Sequence, residues 1–195
     1  MITLAKQKHS DEIQLYKLFK EAFDGEATVY NSIYYYDADD SSTKREVDML
    51  VIYNNLIIVL GLNGQSGCNN KHANRSLRHN FKQMIGFINS IYKNGGVFYT
   101  TGSKDSKQRL RGVAHIFMIS VVCNSCKSLT ENECEASSFS TTYTMTKDDM
   151  PYLYPITFTY SSLAYIIKAC CDHNLGVESF INYLFDLSIS KRYTL

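Results

Sequence analysis

Hydrophobic and polar positions along the chain alternate between two periods. Residues 47–53 form an apolar, β-branched run of strand length that stops at Asn54 and Asn55, and residues 56–60 form a second one. Residues 61–74 are rich in glycine, asparagine and serine and read as a loop. From Leu77, apolar residues recur at Phe81, Met84, Ile85, Ile88, Ile91 and Tyr92, one face of a helix. Asn94, Gly95 and Gly96 supply its stop, and residues 97–101 predict the next strand. Strand, helix and strand with uninterrupted apolar strands imply a parallel sheet covered on both faces, hence an α/β fold.

The flanking segments are read the same way. Residues 1–4 are expected to be a first strand and residues 5–9 a polar loop, with Ser10 as the N-cap of a helix. Asp11 and Glu12 would lie in its first turn, and Leu15, Leu18, Phe19, Ala22 and Phe23 form its buried stripe, ending near Gly25. Residues 27–36 predict a tyrosine-rich strand that closes on an acidic turn. Residues 102–112 are a basic loop, 113–122 a strand, and 137–145 a strand that could pair with it antiparallel. Pro151 and Pro155 bracket an irregular passage, and two helices follow. The first carries Leu163, Ile166, Ile167 and Cys170; the second carries Val177, Phe180, Ile181, Leu184 and Phe185. We expect one domain over residues 1–195, with 156–195 a C-terminal helical extension.

Composition narrows the class. Hydrophobic residues at 45% and charged residues at 20% are those of a folded globular chain, and 195 residues can bury a core without metal or disulfides. A net charge of +1 supplies no global pull toward nucleic acid, so any basic surface must be local. No apolar run reaches the roughly 18 residues of a membrane helix, and the start lacks a signal pattern. No membrane is expected, and cytosol or nucleus is. The six cysteines should then be reduced. Cys123, Cys126 and Cys134 could hold zinc with His115, Cys170 or His173, but a second CxxC is missing, and inert buried thiols are the expectation.

Several segments resemble the ATPase core of the RecA-type recombinases, above all their small paralogues. Residues 50–56 stand where that family has its Walker B strand. Residues 97–102 match the strand with a polar tip, and residues 32–38 match the aliphatic-aromatic second strand closing on an acid. The resemblance implies a RecA-like, mostly parallel sheet with helices on both faces. It also implies a heteromer with another recombinase paralogue, assisting a recombinase filament on single-stranded DNA in homologous recombination repair, in the nucleus. Departures remove the catalysis. The phosphate-loop position, residues 5–12, has no glycine and offers Asp11 and Glu12 in place of Lys-Thr, and the Walker B acid is Tyr53. Neither catalytic residues nor a cofactor are expected. In that family two loops line the DNA path. Here they would present Lys71 and Arg75 from one, and Lys104, Lys107, Arg109 and Arg111 from the other, on one edge of the sheet. The many aromatics, 15 Tyr and 10 Phe, suit an interface, and Tyr34, Tyr35 and Tyr36 cannot all face one core.

A restriction-endonuclease-like core, helix, three strands, helix, strand, also accommodates the chain. Glu46 and Asp48 would begin a hairpin strand with Asn54 and Asn55 as its turn. Such nucleases need a second carboxylate and a lysine at the end of the next strand, where this chain has Gly61, Leu62 and Asn63. That core would be a non-catalytic nucleic-acid binder. The two readings part at residues 56–60: antiparallel strand in the nuclease core, turn or loop in the recombinase. A third possibility is a structural RecA-like subunit of an assembly unconnected with DNA.

Overall fold

A computed structural model describes residues 4–36, 43–63, 70–100, 104–122 and 151–190. The expected strand 137–145 and the cysteines Cys123, Cys126 and Cys134 lie outside these.

Helix α1 (Leu4–Ala22) leads into β1 (Thr28–Tyr36), β2 (Lys44–Tyr53) and β3 (Leu56–Asn63), three strands in an antiparallel meander. Asn54 takes a positive φ of 51° in the two-residue turn between β2 and β3, a backbone asparagine tolerates well. Helix α2 (Asn70–Lys93) crosses over one face, followed by short β4 (Val97–Tyr99) and β5 (Lys107–Arg109), then β6 (His115–Val122). β7 (Tyr152–Thr159) runs straight into α3 (Tyr160–Asp172), and α4 (Val177–Ser190) follows. The strands form one sheet in the order β5-β4-β1-β2-β3-β6-β7. β3 and β6 are parallel, as are β6 and β7.

The α/β class holds, but the sheet is mixed where a mostly parallel one was expected. The segment after Asn55 is a full strand, with Met49 opposite Leu60 and Tyr53 opposite Leu56. The strand after α2 also differs from expectation. β4 is bridged antiparallel to β1 at Tyr34 and Tyr99, and the parallel partner of β3 is β6.

Alternation along the strands explains their unbroken apolar sequence. On β3, Leu56, Ile58, Leu60 and Leu62 enter a core beneath α1, α3 and α4, while Ile57 and Val59 face α2. β6 divides likewise, with Phe117, Ile119 and Val121 on one side and Ile116 and Met118 on the other. Phe19, Phe23 and Phe180 meet ring to ring at 5.5 to 5.8 Å, joining α1 to α4. Phe180, Ile181 and Leu184 are thus buried within the chain. Tyr35 is buried on the α2 side and donates to the Gln83 carbonyl at 3.2 Å, whereas Tyr34 and Tyr36 are half-buried.

Two local expectations change. Ser10 is no cap, because α1 already runs from Leu4; Lys6, Gln7 and Lys8 are good helix formers and nothing breaks the helix there. The passage around Pro155 is β7, with Pro155 opposite Met118. As the outermost strand, β7 pairs on one side only, so a residue without an N–H is tolerated on the other.

Helix ends follow their sequence signals. At α2, Gly96 N donates to Ile91 O (2.6 Å) and Gly95 N to Tyr92 O (3.4 Å), a Schellman motif with Gly95 at φ 61°. At α3, Leu175 N donates to Cys170 O and Asn174 N to Cys171 O, with Asn174 at φ 51° in the left-handed position.

Candidate functional site

The paired strands β1 and β2 change phase once. Val47 and Leu50 both face α2, as do Tyr30 and Ile33 across from them, whereas Met49 faces the opposite core. Ser32 and Asp48 lie at this break, and Ser32 has a φ of 55°, a left-handed conformation that serine adopts only under constraint. The break turns the Asp48 carboxylate toward β3, where Oδ2 accepts the Leu62 N–H at 2.5 Å. Glu12 arrives from α1, 6% exposed, and its Oε1 accepts from Ser32 Oγ at 3.3 Å. The Asn31 amide, oriented by its surroundings, donates to the Asp48 carbonyl and to Glu12 Oε1, both at 3.1 Å. Asp11 is buried beside it in sequence, at 7% exposure. Negative charge here reaches Tyr34, whose phenol is raised from 10.0 by burial first, then by Glu46 and Glu12.

The Asn31 amide thus links the Glu12 carboxylate to the backbone of Asp48, whose own carboxylate turns to Leu62. Gly61 is packed close against α2, and a Cβ there would lie 3.4 Å from both Cβ and Cγ of Asn80. Asn80, on α2 and 3% exposed, donates through Nδ2 to Gly61 O (3.0 Å) and to Ser120 Oγ (2.9 Å). Ser120, on β6, is fully buried. A neutral amide-hydroxyl bridge thus occupies the α2 side of β3.

The six cations singled out from the sequence fall into two groups. Lys71 and Arg75 belong to the first two turns of α2, not to a loop. Lys104 opens a 3-10 turn (Lys104–Ser106), Lys107 and Arg109 lie two apart on β5, and Arg111 follows; the last three are exposed. β5 is an outermost strand, and β4, β1 and β2 separate it from β3. β4 is bridged to β1, antiparallel, at Tyr34 and Tyr99. Residues 64–69 and 101–103, on which the expected common loop edge rests, lie outside the described residues. Positions 5–12, where a phosphate loop was sought, belong to α1.

The remaining candidates have structural partners. His115 stacks on Tyr152 and Tyr154, and its Nδ1 lies 3.2 Å from the Tyr154 hydroxyl. Cys170 is 5% exposed, and both it and Cys171 are free thiols raised from 9.0, by burial first. Among the described residues no group of three His, Cys, Asp or Glu is placed to hold a metal, and no helix is long and apolar enough to cross a membrane. Exposed apolar side chains gather late in the chain, with Tyr165 at 75% and Tyr152 at 67%.

Neither a family model nor a curated protein matches the sequence.

Sequence reasoning passed over Glu12 as part of a site, and over Asn31, Asn80 and Ser120 altogether. One signal was present. Asn80 falls on the apolar stripe of α2, three residues after Leu77 and four before Met84, and a polar residue on a buried stripe demands a partner.

Proposed function

We propose that this chain is a non-catalytic nucleic-acid-binding domain on a restriction-endonuclease-like core. The observation that carries the reading is the antiparallel β2–β3 hairpin, followed by α2 and, past the short β4 and β5, by β6 parallel to β3. The recombinase resemblance needs a turn or loop at residues 56–60, a segment that is strand here. The acids Glu12 and Asp48 suit the nuclease reading, and Gly61, Asn63 and the Asn80 bridge account for the absence of catalysis. Binding rests on the cations around β5. Alternate strand residues stand about 6.8 Å apart, so Lys107 and Arg109 present a short cationic row, flanked by Lys104 and Arg111.

The test is fluorescence anisotropy of a labelled single-stranded oligonucleotide across a salt series. Four phosphate contacts give a logarithmic slope of about −2.8, a loss of about 50-fold between roughly 50 and 200 mM salt. Replacing Lys104, Lys107, Arg109 and Arg111 by Ala should abolish most of that slope, and unchanged binding would refute the interface. Cleavage of the oligonucleotide with magnesium or manganese, lost in Asp48→Asn, would refute the non-catalytic part.

An accessory-subunit role, paired with a recombinase paralogue on a filament, is the second reading. Exposed Tyr165 and Tyr152 favour it, since exposed aromatics suit a partner surface. A purified chain that stays monomeric by light scattering, and recovers no paralogue from extract, would count against it.

A further inference from the structure

A second feature lies away from both the acids and the Asn80 bridge. Where α2 ends and the chain passes from β5 to β6, a cavity of about 180 Å³ opens to one side. Its walls are aliphatic, formed by Ile57, Ile88, Ile91, Ile116 and Leu110. Arg111 lines it as well and is exposed, so it lies at the mouth.

The cavity is built by backbone geometry that hydrogen bonds hold in place. The Schellman turn fixes Gly95 and Gly96, and Leu110 N donates to Gly96 O at 2.8 Å, tying the β5–β6 passage to the helix end. A Cβ on Gly96 would collide with the Leu110 carbonyl, so only glycine permits this approach. On the far side the Tyr92 hydroxyl donates to Val113 O at 3.3 Å, and Ala114 N donates to Asn55 O at 2.7 Å. The Tyr92 hydroxyl is thereby engaged within the protein, Arg111 is the charged residue of the lining, and the Arg109 guanidinium comes within 3.4 Å of where a Gly95 Cβ would stand.

That combination specifies a ligand class. A dry aliphatic cavity of about 150 Å³ is large enough for a benzene ring, and this one is slightly larger. An arginine at an apolar mouth is matched by a carboxylate, which takes two parallel N–H bonds from a guanidinium. We propose that this cavity binds a small apolar carboxylate of about ten heavy atoms, an aryl or branched-alkyl acid, with its hydrocarbon among the isoleucines and its carboxylate on Arg111. Nucleic-acid binding is not required for this site, which would be present in the isolated chain.

Phenylacetate is the probe, with phenylacetamide as its uncharged counterpart. In wild-type protein labelled at isoleucine methyl groups, phenylacetate should shift the Ile57, Ile88, Ile91 and Ile116 signals saturably and leave Ile33 and Ile167 in place. A charge-assisted hydrogen bond makes the acid bind at least about tenfold tighter than the amide. Arg111→Gln should erase that difference while keeping the amide's weaker shifts. Val113→Phe, which narrows the mouth, should abolish both, with a thermal midpoint to confirm folding. The proposal is overturned by wild-type shifts that do not saturate, by shifts elsewhere than these isoleucines, or by equal affinity for acid and amide.

Discussion

Replacing Asn80 by Leu tests whether the polar bridge on the α2 side of β3 holds the fold together. Asn80 is 3% exposed, and its Nδ2 is the donor to both Gly61 O and Ser120 Oγ. Leucine keeps the branched heavy-atom skeleton of asparagine with bulkier methyl ends, so the substitution leaves no cavity while it removes the polar group. A buried polar group that loses its partner costs about 1–3 kcal/mol. The Gly61 carbonyl has a second lone pair and the Ser120 hydroxyl can rotate, which places each at the low end, a total of about 2 kcal/mol. For a chain of this length that lowers the melting temperature by about 4–8 °C. Urea unfolding followed by circular dichroism should show an earlier midpoint with an unchanged slope, since the surface exposed on unfolding stays the same. In a Ser120→Ala background the same substitution should cost about 1 kcal/mol less, the coupling expected of contacting residues. An Asn80→Leu midpoint equal to or above wild type would refute the reasoning, because the bridge would then be no better than hydrocarbon.

Three further outcomes follow from the packing. Gly96→Ala should destabilise by at least about 2 kcal/mol in the same unfolding assay, because a side chain at φ 85° is strained and also meets the Leu110 carbonyl. Glu26→Ala should cost about 1 kcal/mol, since Glu26 Oε2 accepts the Val177 N–H at 2.8 Å and caps the start of α4; Glu26→Gln, which keeps an acceptor, should recover part of that loss. Burial raises the Tyr92 phenol above its ordinary 10.0. The folded state therefore favours the neutral form, a stabilisation complete below pH 10.0 and lost as pH rises through the folded value. Tyr92→Phe should flatten that alkaline loss in a pH series of unfolding midpoints.

The elements of this fold were largely legible one at a time. The period of α2, its Asn-Gly-Gly stop and the doubly buried β3 and β6 follow from local rules: 3.6-residue recurrence, left-handed glycine, and strands apolar on both faces. Residues 56–60 were read as an apolar run, yet their partner could not be, because an antiparallel hairpin and a crossover strand look alike along the chain. Sheet order lies in contacts between distant residues. Ile57 opposite Ile116 makes β3 the neighbour of β6, and Tyr34 opposite Tyr99 sends β4 to the other side of β1. The candidate site followed the same division. Acidic and basic side chains were visible as residues, but only the phase break at Ser32 and Asp48 aims the carboxylate at Leu62, and only the docking of α2 sets Asn80 against Gly61. Local sequence determined which segments are helix and strand, because those preferences are decided within a few residues. The tertiary structure decided which edges meet and which polar groups share a buried space, because those depend on contacts made across the whole sheet.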